Sequence, residues 1–317
     1  MKLSREYSLR RIAARMLACL LGVAFVACAA AAEAGAGGRI FLWEIKSATN
    51  SVYLFGSLHV ARPDFYPLPR TVEDAYRQAD ELVVELDVTD PAKVARGVPL
   101  LMYSPPDSLD KHLSPETWKM LEAMTAAAKQ DAASLKPLKP ALLVSALMMG
   151  ALASHDYKPQ AGIDRHFLQL AHADAKPVVD LETAEFQAAI LSGLSDEDGD
   201  MMLREMIDEL RTGDLLHNIE DLSAAWRAGD VESTARLMHE ANKDPASQRL
   251  YTKLFDERNG PLADKIASLA AGPKRALVVI GAGHLAGENS VVDLLKAKGL
   301  QVRQCRAETC SAPEKPQ

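Results

Sequence analysis

The pattern of apolar and polar positions divides the chain into three parts. Short apolar runs separated by turn residues predict strands near both ends, whereas residues from about 92 to 270 follow a helical period broken mainly by prolines. One short apolar run inside the helical part predicts a further strand. The predicted strands cover residues 41–45, 52–55, 82–87, 176–182, 275–281 and 300–305.

This order predicts a mixed α/β fold. Its central sheet is built from about 40–90 and 275–306, and the helical middle, about 92–270, forms a large insertion or cap. The strand 275–281, a helix over 290–298 and the last strand favour a parallel right-handed crossover. We expect one domain over residues 39–306, followed by a flexible tail over 307–317.

Residues 1–32 have the features of a secretory signal peptide. Lys and Arg residues precede the apolar run Met16 to Ala27, which is too short to span a bilayer comfortably, and small residues follow. We predict cleavage near Ala32 and a periplasmic or secreted protein without a transmembrane helix. A lipoprotein anchored at Cys28 is the alternative, because residues 25–28 loosely match a lipobox.

Charge and cysteine content narrow the possible partners. The chain carries a formal net charge of −7, and residues 1–32 hold five basic residues and one acidic residue, so cleavage would leave about −11. Such an acidic protein has no electrostatic reason to bind nucleic acid. After cleavage only Cys305 and Cys310 remain, as a disulfide or as free thiols. A zinc site there is disfavoured, since no His lies nearby.

A short unit, an apolar strand followed by Gly-x-x-His, occurs twice. The first copy ends in Gly56-Ser57-Leu58-His59 and the second in Gly281-Ala282-Gly283-His284. Open α/β sheets bind ligands at the carboxyl ends of their strands. We therefore expect both imidazoles at one edge of the sheet.

Glu85 interrupts an apolar run, and a buried carboxylate requires a metal ion, an Arg or a solvent-exposed position. Asp87 shares its predicted face, and we expect Glu85 to be the more deeply embedded of the two. Two His and one Glu at strand ends are the ingredients of a metal-dependent hydrolytic site.

Several other polar residues could either stabilise the fold or contribute to the site. Asp164 opens a helix and is predicted to cap it, with Ile163 and Phe167 in the core. Arg258, followed by Asn259, could pair with Glu85 or Glu182, or steady a reacting carbonyl. Five further histidines are predicted to be surface or structural residues: His112, His155, His172, His217 and His239.

Taken in order, these motifs resemble the TraB/PrgY/GumN family, to which the TIKI-type proteases belong. The resemblance covers about residues 40–305. It rests on 41–45, 53–59, 84–87, Gly162-Ile163-Asp164, 180–183 with Gln187, Trp226 with Gly229-Asp230, Arg258-Asn259, and 279–285 with Gly287.

The resemblance implies a fold like that of the haem-binding ChaN and the erythromycin esterases. It also implies a metal-dependent hydrolase site formed by His59, His284 and Glu85, with Arg258 in support. In the TIKI branch the activity is proteolytic and is supported by manganese or cobalt. The bacterial GumN-like branch, which this chain resembles most, has no settled substrate, so peptide hydrolysis is an extrapolation.

The sequence thus favours an exported metal-dependent hydrolase and, within that class, a peptidase. His59, Glu85 and His284 are the candidate metal ligands. An ion held by Glu85 with one of the two histidines would leave the other histidine, or Asp87, as general base. Asp164, Glu182 and Asn259 would support the site. With so few donors, loosely bound manganese or cobalt is favoured over zinc.

Two alternatives come from other classes. The cleft could capture haem, a peptide or a glycan fragment without catalysis, or one histidine with Glu85 could activate water in a metal-free esterase. A Ser nucleophile is disfavoured because the chain lacks a G-x-S-x-G motif. No oligomeric state follows from the sequence.

Overall fold

The computed structural model describes residues 38–48, 50–240 and 245–310, which belong to one compact unit. The predicted signal peptide, with Cys28, lies outside the described residues, as do residues 311–317 of the predicted tail.

The described residues form one six-stranded mixed sheet with the strand order β4-β3-β5-β2-β1-β6. Strands β2, β5, β3 and β4 are parallel neighbours, whereas β1 runs antiparallel to both β2 and β6. The prediction of an α/β sheet built from both ends of the chain is confirmed. The strands are β1 (Arg39–Lys46), β2 (Ser51–Ser57), β3 (Glu81–Val84), β4 (Val178–Asp180), β5 (Ala276–Gly281) and β6 (Gln301–Arg306).

The register of the parallel strands brings the two Gly-x-x-His units side by side. Ser57 at the end of β2 is paired with Gly281 at the end of β5, and Val84 at the end of β3 is paired with Val279. The carboxyl ends of these strands therefore meet at one edge of the sheet, where their following loops lie close together.

The last strand is not adjacent to β5. Strands β5 and β6 run in the same direction, but β2 and β1 lie between them in the sheet. The antiparallel pair β1–β2 lies between β5 and β6, so β6 pairs with β1 instead of β5. The predicted crossover therefore spans two intervening strands.

Helices fill most of the chain between β3 and β5, as the helical period predicts. The α-helices of the described ranges are α1 (Arg70–Gln78), α2 (Pro91–Gly97), α3 (Pro115–Ala127), α4 (Pro140–Ala153), α5 (Ile163–Ala173), α6 (Ala184–Ser192), α7 (Asp196–Thr212), α8 (Asp214–Arg227), α9 (Val231–Glu240), α10 (Pro245–Tyr251), α11 (Glu257–Ala271) and α12 (Val291–Ala297). Short 3₁₀ turns occur at Pro63–Phe65, Val98–Leu101, Leu109–Lys111, Ala132–Leu135, Pro159–Ala161 and Ala282–Leu285, and a π-helical turn at Thr252–Asp256.

The main core packs on both faces of the sheet, as expected where parallel strands are covered on two sides. A second, smaller core holds the helical middle together through Leu109, Leu121, Leu143 and Leu203, all fully buried. None of the helices in the described ranges is both long and apolar enough to cross a lipid bilayer.

The first residues of the predicted tail are attached to the sheet. The Ala307 N–H donates to the Gly38 carbonyl over 2.9 Å, and the sulfurs of Cys305 and Cys310 are bonded. Residues 307–310 are therefore part of the folded unit rather than flexible.

Candidate functional site

Three side chains surround a single point at the carboxyl edge of the sheet. A Cβ atom placed on Gly281 would lie 3.3 Å from Glu85 Oε1, 3.7 Å from His59 Nε2 and 3.8 Å from His284 Cδ2. Gly281 has no side chain, so these polar groups can approach its backbone closely. The structure thus brings together the two imidazoles and the carboxylate that the sequence singled out.

His59 lies at the open side of this point, with its side chain 72% exposed. Its Nδ1–H donates to Asp164 Oδ2 over 2.9 Å, which leaves Nε2 facing the centre. Ser57 Oγ donates to the other Asp164 oxygen over 2.5 Å. The Asp164 carboxylate raises the pKa of His59 to about 9, against the opposing effect of burial.

The predicted role of Asp164 as a helix cap is wrong. Helix α5 begins at Ile163, with Gly162 as N-cap and no side-chain capping bond, and the Asp164 carboxylate turns to His59 instead. The Ile163 N–H donates to the Leu58 carbonyl over 2.9 Å, which fixes the start of the helix against the His59 loop. Ile163 is buried in the core, as predicted.

His284 lies at the closed side of the same point and is only 2% exposed. Its Nδ1–H donates to Asn259 Oδ1 over 2.6 Å, and Asn259 Nδ2 donates to the Asn289 carbonyl over 3.0 Å, which fixes the amide orientation. The Nε2 lone pair then points to Glu85 Oε1, 3.9 Å away. Burial lowers the pKa of His284 to about 4, so the ring is neutral at pH 7.

Glu85 lies between the two imidazoles. Its Oε1 accepts the Gly281 N–H over 2.6 Å, and its Oε2 accepts Arg258 Nη2 over 2.6 Å. Burial opposes ionisation, but the neighbouring imidazoles, the guanidinium and the Gly281 N–H together hold the pKa of Glu85 below its usual value. Glu85 is therefore an ionised carboxylate in a fixed orientation.

Arg258 joins two carboxylates, as the sequence suggested. Besides Glu85, it contacts Glu182 through Nε at 2.9 Å and Nη2 at 2.6 Å. Gln187 Nε2 donates to Glu182 over 2.9 Å and to Glu85 over 3.3 Å, closing the network. The π-helical turn contributes as well, because its Leu254 carbonyl accepts Arg258 Nη1 over 2.9 Å.

Asp87 does not belong to this network, and the prediction that Glu85 is more deeply embedded is wrong. The Asp87 side chain is 5% exposed and that of Glu85 is 12% exposed. Strand β3 ends at Val84, so the predicted alternation does not extend to either residue. The Asp87 carboxylate accepts from Thr89 Oγ1 at 2.5 Å and lies 3.1 Å from His172 Nε2. Its bonding partners make it a structural residue rather than a general base.

The two imidazoles and the Glu85 carboxylate are of the chemical types that bind divalent metal ions. Each histidine has its Nδ1 held by a carboxylate or an amide oxygen, the arrangement that usually orients metal-binding imidazoles, and presents Nε2 to the centre. Within the described ranges, however, no group of three or more His, Cys, Asp or Glu side chains is arranged as a ready metal site. Each Glu85 oxygen accepts one strong hydrogen bond, which fixes the carboxylate and leaves each oxygen a further lone pair.

Two contributors were missed among the predicted site residues. Ser57 is one of the two variable residues of the first Gly-x-x-His unit, so the motif gave it no role. Its hydroxyl contacts Asp164 because the end of β2 lies next to the start of α5. Gln187 entered only as part of the family resemblance. Its position one turn into α6, four residues after Thr183, gave no sign that it would reach Glu85.

The chain is similar in sequence to several known proteins. YbaP of Escherichia coli strain K12, an uncharacterized protein, is 27% identical over 248 residues, covering 77% of this chain and 87% of YbaP. Metalloprotease TIKI2 of Danio rerio is 26% identical, covering 83% of this chain and 60% of TIKI2. Metalloprotease TIKI1 of Homo sapiens is 25% identical, covering 84% of this chain and 62% of TIKI1.

The chain thus aligns with less than two thirds of the length of these metalloproteases. No solved structure matches the chain, so the predicted likeness to ChaN stays a prediction. The model of the TraB/PrgY/gumN family matches residues 41–304, a range that begins in β1, ends in β6 and contains every side chain of the site. The chain belongs to the TraB/PrgY/gumN family.

Proposed function

We propose that this protein is an exported, metal-dependent hydrolase that cleaves peptide bonds. The observation that carries the proposal is the placement of His59 Nε2, Glu85 Oε1 and the His284 ring within 4 Å of one point beside Gly281. The metalloprotease relatives support the hydrolytic class, and the features of residues 1–32 support export.

A divalent ion would be held by the Nε2 atoms of His59 and His284, with Glu85 as the third donor. A bound ion of this kind activates water and polarises a carbonyl group. The resemblance to the TIKI branch favours manganese or cobalt for this ion, and two imidazoles with one carboxylate would also accept zinc. The open position of His59 gives a substrate access, whereas buried His284 closes the inner side of the site against water.

The charges of the site support a cation. Two carboxylates with low exposure, those of Glu85 and Glu182, contact one guanidinium, that of Arg258, and a third, Asp164, pairs with His59. His284 is neutral, so the inner part of the site carries more negative than positive charge. A cation on the two imidazoles would reduce this imbalance, and Arg258 would keep Glu85 oriented toward it.

The test combines metal analysis with peptide hydrolysis. We expect the purified protein to bind manganese or cobalt and to cleave an unstructured peptide library, and we expect chelation to abolish cleavage. His59→Ala and His284→Ala should lose both metal and activity. His217→Ala, whose side chain is 74% exposed and distant in sequence from the site residues, should retain both. Unchanged metal content in both site variants would refute the proposal.

One observation favours a second candidate, a metal-free hydrolase. His59 and Asp164 form an imidazole–carboxylate pair with Nε2 exposed to substrate. Because the pKa of His59 is about 9, the ring would act as general base increasingly as the pH rises toward that value. The partner of this histidine is Asp164 rather than the predicted Glu85. Activity that survives chelation but disappears in Asp164→Asn would favour this candidate over the metal-dependent one.

A further inference from the structure

The exposed apolar side chains of the described residues are concentrated at one corner of the molecule. Seven large apolar residues are substantially exposed, and all lie in the segment 88–102, on β4 or on α6. They are Val88, Val94, Val98, Leu100, Met102, Val179 and Phe186. We call these residues, with the segment 88–107 that supplies most of them, the apolar corner.

Direct contacts make the apolar corner one structural feature. Lys93 on α2 pairs with Asp180 at the end of β4. Gly97 at the end of α2 packs so closely on α6 that an added Cβ would lie 2.7 Å from the Ala184 carbonyl oxygen. Helix α2 therefore bridges β4 and α6.

The surface of the corner is unusually apolar. Fourteen of the twenty residues from 88 to 107 are exposed, and eleven of those fourteen are Val, Ala, Pro, Leu or Met. Single exposed apolar residues are normal on a monomer, but a contiguous group of this kind marks an interaction surface.

The charge of the apolar corner indicates which kind of partner could bind there. Segment 88–107 contains two acidic and two basic residues, Asp90, Asp107, Lys93 and Arg96, in a chain of net charge −7. An anionic lipid surface would meet no excess of positive charge there. Two copies of this acidic chain repel each other over most of their surface, and a neutral segment is where they can approach closely.

The position of the corner also suits self-association. Strand β4 is the end strand of the sheet and pairs only with β3 among the described strands. The corner supplies sixteen exposed residues, fourteen in segment 88–107 together with Val179 and Phe186, which is below the roughly 20–30 residues a side of standard interfaces and matches a weak dimer. In a two-fold dimer the same patch serves both partners, so one self-complementary apolar surface is sufficient.

We propose that the apolar corner is the interface of a two-fold homodimer. Sedimentation equilibrium of the purified protein tests this, with two independent variants, Leu100→Glu on the 3₁₀ turn and Phe186→Glu on α6. Both side chains are exposed, so either variant should fold with an unchanged circular dichroism spectrum. The matched control is Gln301→Glu, an exposed position on β6 at the opposite edge of the sheet.

We expect a wild-type dimer in the micromolar range. Each corner variant should raise the dissociation constant by at least about tenfold, because two-fold symmetry buries two like charges per substitution. The control should leave it unchanged. A wild-type monomer at the highest soluble concentration overturns the proposal, as does a dimer that both corner variants leave intact. A monomer that instead binds lipid vesicles or apolar peptides overturns it too, since the corner then has another occupant.

Discussion

The two Gly-x-x-His units begin with the same sequence pattern and end in opposite environments. His59 is mostly exposed and held by the Asp164 carboxylate, which raises its pKa to about 9. His284 is almost fully buried and held by the Asn259 amide, and burial lowers its pKa to about 4. The difference shows that the surroundings of each imidazole, the Asp164 carboxylate in one case and burial in the other, set its charge, whereas the shared motif does not.

The strongest way to break this arrangement is to remove the residue that fixes Glu85 between the two histidines. Arg258→Ala leaves Glu85 and Glu182 without their buried counter-charge, so we expect a loss of about 3–5 kcal/mol in the free energy of unfolding. Urea denaturation measures this. Arg211→Ala, whose side chain is 71% exposed, should change stability by less than about 0.5 kcal/mol. Equal effects of the two variants would contradict the described network.

Alanine substitution of each histidine should separate activity from stability. His284→Ala leaves Asn259 Oδ1 unpaired in the interior, so we expect a loss of about 1–3 kcal/mol in stability. His59→Ala removes a ring that is 72% exposed and leaves the Asp164 carboxylate bonded to Ser57 Oγ, so it should cost less, about 1 kcal/mol. Both should reduce hydrolysis by about 10²-fold or more under the proposed function. Similar denaturation curves for the two variants would show that the environments of the two rings are not opposite.

Changing the partner of His59 should move its titration. In wild-type protein stripped of metal, the His59 ring should stay protonated well above the usual histidine range, because Asp164 favours the charged form. Asp164→Asn should lower that pKa toward the ordinary value of about 6.5 and weaken metal binding by about 10–100-fold. The ion pair between His59 and Asp164 should be lost as the pH rises through the His59 pKa, because the ring then becomes neutral. NMR titration of the ring protons measures it, and an unmoved pKa would contradict the role of Asp164.

The smallest expected effect concerns Ser57, whose hydroxyl donates a hydrogen bond to Asp164 Oδ1. Ser57→Ala should cost about 0.5–1.5 kcal/mol in unfolding free energy and leave metal content unchanged. Ser192→Ala on α6, where the hydroxyl bonds only a helix carbonyl in an exposed turn, is the matched control. Loss of metal in Ser57→Ala alone would mean that Ser57 does more than orient Asp164.

The sequence predicted those parts of the site that depend on local pattern. Strand ends followed by Gly-x-x-His placed both imidazoles at one edge because parallel strands share a direction. The apolar run around Glu85 required a partner, and Arg258 is that partner.

Other parts depend on contacts between distant segments, which no local pattern encodes. Asp164 bonds to His59 across 105 residues, so the sequence could name it as a helix cap or as a support of the site but could not identify His59 as its partner. Asp87 and Glu85 could not be ranked by burial, because β3 ends before both of them. The place of β6 beside β1 likewise follows from sheet pairing rather than from the strand–helix–strand order.

The most direct test of the central claim is a crystal structure of the protein grown with Mn²⁺, with anomalous differences measured at the manganese edge. The proposed site predicts a peak about 2.0–2.3 Å from the Nε2 atoms of His59 and His284, adjacent to Glu85. A peak bound elsewhere, or none at a Mn²⁺ concentration that supports hydrolysis, would contradict it.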